Sequence, residues 1–238
     1  MRVLALMLAA VQLSSLAAAH SFVFIAHAHK NHPVTDVFWH IRKHLKKQIA
    51  YPWYMYTNLE DMRCNTLENN SSWPDVETLT LDAGTTIGVG VIDWLIEDFR
   101  YIWHPGPAQA YLSRAPNDNL TSYLGDGDWF KIGQYSYANK SHWVIDGCDT
   151  STPPGKYLLR VEHLFNDYAG TANTQFYHSC AHVEVVGRGG GTPGATIKLP
   201  EDYIKDAGLD FTVEQAYSTW GERNYTGYRN SGPPVWTG

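Results

Sequence analysis

Short runs of β-forming residues, separated by clusters of Pro, Gly and Asn, are the feature that most restricts how this chain can fold. Thr78–Ile92 contains two such runs, TLTL and IGVGVI, around a turn at Asp82–Gly84. Four more runs, rich in aromatic or β-branched residues, predict further strands at Ser21–Ala26, Ala108–Leu112, Lys156–Leu164 and Ala181–Val186. Short strands between turn signals favour an all-β antiparallel sandwich with long loops and short helical segments.

The composition is that of an ordinary globular protein. Of the 238 residues, 44% are hydrophobic and 18% are charged. Apart from an N-terminal leader, no apolar run is long enough to span a membrane. Removal of the leader removes one of the 18 basic residues and none of the 24 acidic ones, which gives a formal charge of −7. This mildly acidic charge argues against nucleic acid as a partner and is compatible with a neutral polymer such as a polysaccharide.

The leader, residues 1–19, has the pattern of a secretory signal peptide: a basic residue near its start, an apolar middle and a small-residue end. Ala17 and Ala19 form an A-x-A-like cleavage site, so His20 is expected to begin a single secreted domain, residues 20–238. A histidine at a free N-terminus offers an α-amine and two imidazole nitrogens, and such nitrogen ligands suit Cu(II). A chance cleavage before a histidine is the alternative.

Glycosylation triplets and cysteines support export. N-x-S/T triplets begin at Asn69, Asn70, Asn119, Asn139 and Asn224. The three cysteines, Cys64, Cys148 and Cys180, predict one disulfide and one unpaired thiol in an oxidising compartment. The residues alone leave open which two cysteines pair.

Two further segments carry candidate metal-site chemistry. His104 opens an HPGP segment, in which Pro on either side of Gly predicts a tight turn that holds the imidazole on a rigid loop. If Gln175–Cys180 is a strand, Gln175 and Tyr177 point to one face and Phe176 to the other. A tyrosine hydroxyl beside a glutamine amide can flank a metal. The alternatives are a surface histidine and a tyrosine that only packs.

Together these features resemble the fungal lytic polysaccharide monooxygenases of auxiliary activity family nine, copper enzymes that oxidise cellulose. The resemblance extends from His20 to the last residues and rests on eight features in the family's order. Besides His20 they are MRCN (Met62–Asn65), HPGPAQAYLSRAP (His104–Pro116), DWFKIG (Asp128–Gly133), PPGKYLLRVE (Pro153–Glu162), TQFYHSC (Thr174–Cys180), LPEDYIKDAG (Leu199–Gly208) and GPPVWTG (Gly232–Gly238).

The resemblance implies a histidine brace that holds one copper ion. His20 would give its amine and one ring nitrogen to the metal, and His104 would give one ring nitrogen. Tyr177 would occupy the axial position, too distant to be a strong ligand. Gln175 would hydrogen-bond oxygen species near the metal.

The resemblance also implies an immunoglobulin-like β-sandwich with the copper on a flat, exposed face. A disulfide would join Cys64 to Cys180. Cys148 is then predicted to be free and buried, with a reactive or intermolecular role as the alternative. The implied reaction is oxidative cleavage of cellulose or a related β-linked polysaccharide by a monomer that uses an external electron donor and dioxygen or hydrogen peroxide. A flat face brings the metal to a crystalline chain, and three nitrogen ligands leave room for an oxidant. Neither nucleic acid nor a membrane is an expected partner.

One position departs from the family pattern. Active members typically carry a histidine a few residues after LLR-x-E, and an ungapped alignment puts Asp167 there. A carboxylate does not handle a proton as an imidazole does near neutral pH. Asp167 is therefore expected in a catalytic position near the copper, where it favours a second hypothesis: a secreted copper-binding protein with little oxidative activity. An alignment displaced by a few residues is the alternative, and His163 would need such a shift to take this position.

The remaining predictions concern the surface. Tyr203, in the LPEDY segment, is the candidate for stacking on a sugar ring, with packing against the sandwich as the alternative; Tyr217 is a second candidate. Val37–Gln48 predicts a short basic amphipathic helix. Histidines in and around it have permissive metal-ligand spacings but match no family segment, and no site is assigned to His27, His29, His32, His40 or His44. Nothing marks Glu162 and Asp167 as the acid–base pair of a hydrolase.

Overall fold

The longest strand, Thr174–Val186, organises the larger of two sheets. The computed structural model describes residues 22–29, 38–43, 61–64, 72–93, 98–99, 106–135, 150–166, 174–209 and 229–238. The strands are β1 (Phe22–His29), β2 (Leu79–Asp82), β3 (Ile87–Asp93), β4 (Asp98–Phe99), β5 (Ala108–Arg114), β6 (Trp129–Tyr135), β7 (Gly155–Asn166) and β8 (Thr174–Val186). The helical segments are α1 (Asp61–Cys64) and 3-10 turns at Pro116–Asp118 and Tyr203–Lys205.

Two sheets pack face to face. One has the order β1-β3-β4 and the other β2-β8-β7-β5-β6. Between them, Ile87 and Val91 from β3 pack with Leu159 from β7 and Val183 from β8. The all-β sandwich predicted from the sequence is confirmed. Among the described pairs the exception to the antiparallel rule is β2 with β8, where Leu79 lies opposite Val183 in a parallel register.

Strand β8 is buried on both faces, and its alternation separates two hydrophobic clusters. Tyr177, Ala181 and Val183 face the core between the sheets. Phe176 and Cys180 face the other way, into a second cluster. This second cluster also contains Met62, Tyr111, Trp129, Leu158, Leu164 and Tyr203. Because side chains of a strand alternate, the QFYHSC segment supplies both clusters at once.

The predicted strands are confirmed, whereas the described part of the predicted helix Val37–Gln48 is not helical. Within residues 38–43, the described part of the predicted helix, the chain passes through a turn and then pairs with β8 over residues 40–42. Ile41 forms a bridge with Ala181, and the His182 amide donates to the His40 carbonyl at 2.9 Å. The physical reason is that β2 pairs only with the end of β8, from Val183 to Val186, which leaves the backbone groups in the middle of β8 to be paired by this segment. Strands β4 and β6 were not predicted.

The helix α1 is attached to the larger sheet by the disulfide Cys64–Cys180, whose Cα atoms are 5.2 Å apart. This pairing confirms the bridge implied by the family resemblance. Arg160 of β7 adds a second attachment, because its guanidinium donates to the carbonyls of Met62 at 3.2 Å and Arg63 at 2.9 Å. Cys148 lies outside the described residues, as do residues 1–21 with the predicted leader. Within the described part, the chain forms no helix long and apolar enough to cross a membrane.

Candidate active site

The end of β8 brings together the two side chains that the sequence predicts on one face. The Tyr177 hydroxyl donates a hydrogen bond to Gln175 Oε1 at 2.7 Å. Tyr177 is 5% exposed and Gln175 is 8% exposed, whereas Phe176 faces the second cluster. The predicted alternation is therefore confirmed. Because its Oε1 accepts the tyrosine proton, the Gln175 amide has its NH2 group left for a second partner.

His163 lies directly across from Tyr177 on β7. The two ring centroids are 6.0 Å apart with an interplanar angle of 31°. The His163 Nδ1 atom is 3.1 Å from the Pro107 carbonyl oxygen, and His163 is 2% exposed. Because a carbonyl oxygen only accepts, Nδ1 must carry the proton in this contact. The imidazole thus joins the Tyr177 face to the HPGP segment.

The second half of the HPGP segment packs closely on β7. The Leu164 amide donates to the Pro107 carbonyl at 3.0 Å. A Cβ atom at Gly106 would collide with the Leu164 carbonyl oxygen and lie 3.2 Å from the His163 ring. Glycine is therefore required between the two prolines because of close approach to the neighbouring strand. Gly106 and Pro107, the two residues described in this segment, therefore lie against His163 and Leu164.

The described residues fit the predicted copper site without completing it. The predicted ligands His20 and His104 and the neighbour Asp167 lie outside the described residues. Within the described ranges, no group of three His, Cys, Asp or Glu side chains is positioned to hold a metal ion. Tyr177 donates its hydroxyl proton to Gln175, so its oxygen is a neutral phenol, which suits a weak axial contact and not a strong ligand.

Tyr203 does not have the exposure that sugar stacking requires. It is 1% exposed, and its hydroxyl donates to the Glu162 carboxylate and lies 2.6 Å from the Tyr111 hydroxyl. Burial and the nearby Glu162 charge raise the Tyr203 pKa well above its usual value. The stacking prediction is corrected: the 3-10 turn directs this ring into the second cluster and exposes Ile204 instead, 48% of whose surface is accessible. Tyr217 lies outside the described residues.

A buried polar network beneath the candidate site was not predicted. Glu162 accepts from Gln109 Nε2 at 3.1 Å and forms an ion pair with Arg160, and both charged side chains are completely buried. The signal was present in LLR-x-E, since oppositely charged residues two apart on a strand share a face. This ion-paired environment also argues against Glu162 as a hydrolytic acid.

Asp167 follows directly on the last residue of β7. Phe165 pairs with Gln175, and Asn166 pairs with Thr174. The last residues of β7 therefore lie at the same end of the sheet as Gln175 and Tyr177. The catalytic position of Asp167 itself stays a prediction. His40, from the histidine-rich segment, lies elsewhere, with its Nδ1 atom 2.8 Å from the Glu77 carbonyl oxygen.

Sequence comparison links the chain to one family. The model of one protein family, Auxiliary Activity family 9 (formerly GH61), matches residues 23–225. The chain is 36% identical over 174 residues to AA9 family lytic polysaccharide monooxygenase U from Thermothielavioides terrestris, covering 68% of this chain and 67% of that protein. It is 37% identical over 191 residues to monooxygenase C of the same family from Emericella nidulans, covering 75% and 76%. Against monooxygenase A from Aspergillus fumigatus, 41% identical over 148 residues, the chain spans only about half of the relative, 48%.

Solved structures share the fold. The structure named CvAA9A has a TM-score of 0.70 at 20% identity, covering 90% of this chain and 97% of that one. HiLPMO9B has a TM-score of 0.67 at 22% identity, covering 91% and 100%. At this level of identity the likeness supports the sandwich architecture alone.

Proposed function

Because the chain belongs to Auxiliary Activity family 9, we propose that it is a secreted, copper-dependent lytic polysaccharide monooxygenase that cleaves cellulose or a related β-glucan oxidatively. The observation that carries this proposal is the packing of Gly106 and Pro107, the described half of the HPGP segment, against His163, whose ring lies beside Tyr177. Pro107 contacts β7 through two hydrogen bonds, from the Leu164 amide and the His163 ring. This arrangement supports a metal held by His104 on the same face as a tyrosine hydroxyl and a glutamine amide.

Each residue near this face has a proposed part. His20 and His104 would hold the copper through three nitrogens, and the metal would supply the one-electron chemistry that a strong C–H bond requires. Tyr177 would lie beside the metal with a protonated, neutral oxygen, which would make it at most a weak ligand. The NH2 group of Gln175, left over after its Oε1 accepts from Tyr177, would donate a hydrogen bond to an oxygen atom of a bound co-substrate. Dioxygen or hydrogen peroxide and an external electron donor complete the proposal.

Copper binding tests this proposal. Protein that begins at His20 should bind one Cu(II) tightly with a nitrogen-rich electron paramagnetic resonance spectrum, whereas protein with one extra residue before His20 should lose most of that affinity. The reason is that the extra residue converts the amine into an amide, which is no longer a basic ligand. Incubation with cellulose and a reductant should then release oxidised oligosaccharides, detected by mass spectrometry. Equal copper affinity of both forms would exclude the brace.

Asp167 supports a second candidate function, a copper-binding protein with little oxidative activity. A carboxylate near the metal should stabilise Cu(II) relative to Cu(I) and disfavour negatively charged oxygen species. We expect slow peroxide-driven cleavage by the wild type and a faster rate for Asp167→His. Asp167→Asn separates charge from shape, because an equal gain would assign the defect to charge alone. Equal rates for all three proteins would remove Asp167 from the neighbourhood of the copper.

A further inference from the structure

We propose that His163 is a positioning residue, which holds the HPGP turn against the Tyr177 face and so sets where His104 meets the copper. This inference rests on the proposed copper site. His163 lies on β7, four residues before Asp167. The proposed role does not require His163 to move into the position aligned with Asp167, because it uses the contacts that His163 makes where it lies in the sheet.

The hydrogen bond to Pro107 is the first support. The Pro107 carbonyl accepts from two donors of β7, the Leu164 amide at 3.0 Å and the His163 ring at 3.1 Å. A carbonyl oxygen has two lone pairs, so both acceptor positions are filled. The His163 ring thus adds a side-chain hydrogen bond to the backbone bond at Pro107, three residues after His104.

The packing of the imidazole is the second support. One neighbour is the Tyr177 ring, 6.0 Å away between centroids, and another is Gly106, whose missing Cβ leaves room for the imidazole Cε1. His163 is therefore in contact both with the turn that carries one predicted ligand and with the predicted axial residue. An aliphatic residue on β7 would fill the same space but would not donate to Pro107.

A buried histidine that only packs is the competing explanation, and His182 is an example from the same sheet. The His182 ring accepts from Arg42 Nε at 2.9 Å. It lies five residues along β8 from Tyr177, roughly 17 Å away at the usual rise of a strand. His182 makes a buried hydrogen bond without contacting the candidate site, so it provides the matched control.

The experiment compares two substitutions at His163 with the control His182→Gln. In His163→Asn the side-chain amide keeps a donor near the position of Nδ1, whereas His163→Leu keeps only the volume. We expect His163→Leu to lose about tenfold or more in Cu(II) affinity, measured by titration calorimetry, because orienting partners of metal ligands contribute roughly 10–100-fold. Its electron paramagnetic resonance spectrum should also change. His163→Asn should recover most of the wild-type affinity and spectrum, and His182→Gln should match the wild type in both.

The outcomes separate this inference from the proposed function. If the wild type binds no copper, the proposed function fails. If the wild type binds copper and His163→Leu has the same affinity and spectrum, the positioning role is wrong while the proposed function stands. A fall in affinity of similar size for His182→Gln would also overturn it, since the effect would then be general destabilisation.

A measurement on the metal-free wild type keeps the inference testable if His163→Leu does not fold. Nitrogen-15 spectra of histidine-labelled protein should show His163 as the Nδ1-protonated tautomer, because the Pro107 carbonyl requires a donor there. The assignment is made by the loss of one signal in His163→Asn. Observation of the Nε2-protonated tautomer for His163 would overturn the inference without any activity assay.

Discussion

At the scale of single residues, the larger sheet contains ionisable groups whose pKa is displaced by burial. His182 has its pKa lowered from 6.5 to about 3, first by burial and then by the nearby Arg42 charge. The Arg42 pKa is in turn lowered to about 9 by burial. Arg42 lies over the Trp73 ring, with its Cζ 3.9 Å from the ring centroid, and donates to the Leu120 carbonyl at 2.7 Å. The neutral His182 ring is the acceptor that this buried cation needs.

This displacement predicts a loss of stability in acid. The folded protein keeps His182 neutral, whereas the unfolded chain binds a proton below about pH 6.5. The contribution of His182 to the free energy of unfolding is therefore fully present above pH 6.5. It is lost as the pH falls toward 3, by at most about 1.4 kcal/mol per pH unit. In His182→Gln the amide oxygen still accepts from Arg42 but cannot titrate. Melting temperatures measured between pH 7 and pH 4 should fall less steeply for this variant, and identical slopes would contradict the assignment.

At the scale of elements, α1 and the two long strands are joined by charge as well as by the disulfide. Arg160 of β7 lies opposite Cys180 of β8, and its guanidinium contacts Glu162 and two carbonyls of α1. Tyr203 contributes the third partner of the Glu162 carboxylate from its 3-10 turn. Elements distant in sequence thus share one buried network directly under the β7–β8 pair. A satisfied network of this kind stabilises a single arrangement of its members.

Breaking this network should destabilise the fold. Glu162→Gln leaves the Arg160 guanidinium buried without a counter-charge, which we expect to cost roughly 3–5 kcal/mol of unfolding free energy. The matched control is Glu201→Gln, which breaks the more exposed pair of Arg63 and Glu201, 3.3 Å apart. A surface ion pair contributes about 0–1 kcal/mol, so this variant should resemble the wild type. Denaturant unfolding measures the free energy of unfolding of both variants. Equal losses would show that the buried ion pair of Arg160 and Glu162 stabilises the fold no more than the exposed pair does.

At the scale of the whole molecule, the sheet separates the candidate site from an exposed glycosylation triplet. Ala108, at one end of β5, pairs with His163, and Arg114, at the other end, pairs with Tyr157. Asn119 follows Arg114 by one 3-10 turn and is exposed. It lies at the end of the sheet opposite Tyr177, about 20 Å away at the usual rise per residue of a seven-residue strand.

This placement predicts a glycan that leaves the candidate site open. In protein secreted from a fungal host we expect N-linked glycan on Asn119, because Asn119 and Thr121 are both exposed in an irregular turn. Mass spectrometry of the peptide should find the glycan in Thr121→Ser, which keeps the triplet, and not in Thr121→Ala. Copper affinity and cellulose binding should be the same with and without it. An unmodified Asn119 in the secreted wild type would contradict the prediction.

Much of the architecture was determined locally and could be predicted from the sequence. Alternation of side chains placed Gln175 and Tyr177 on one face and Phe176 on the other, because a strand permits no other arrangement. The turn between β2 and β3 follows from the Asp82–Gly84 segment, where Gly84 adopts a φ of 88°. The order of motifs along the chain identified the family before any contact between them was known.

Other features were decided only by tertiary structure. The segment at residues 38–43 has the apolar spacing of a helix, but the middle of β8 offered hydrogen bonds that residues 40–42 form instead. Tyr203 looked like a surface aromatic, and only the buried Glu162 carboxylate explains why its hydroxyl points inward. From the sequence, His163 had a role only if the alignment was shifted, whereas in the structure β7 places its ring between Pro107 and Tyr177. In each case the deciding partner is distant in sequence, so local pattern could not supply it.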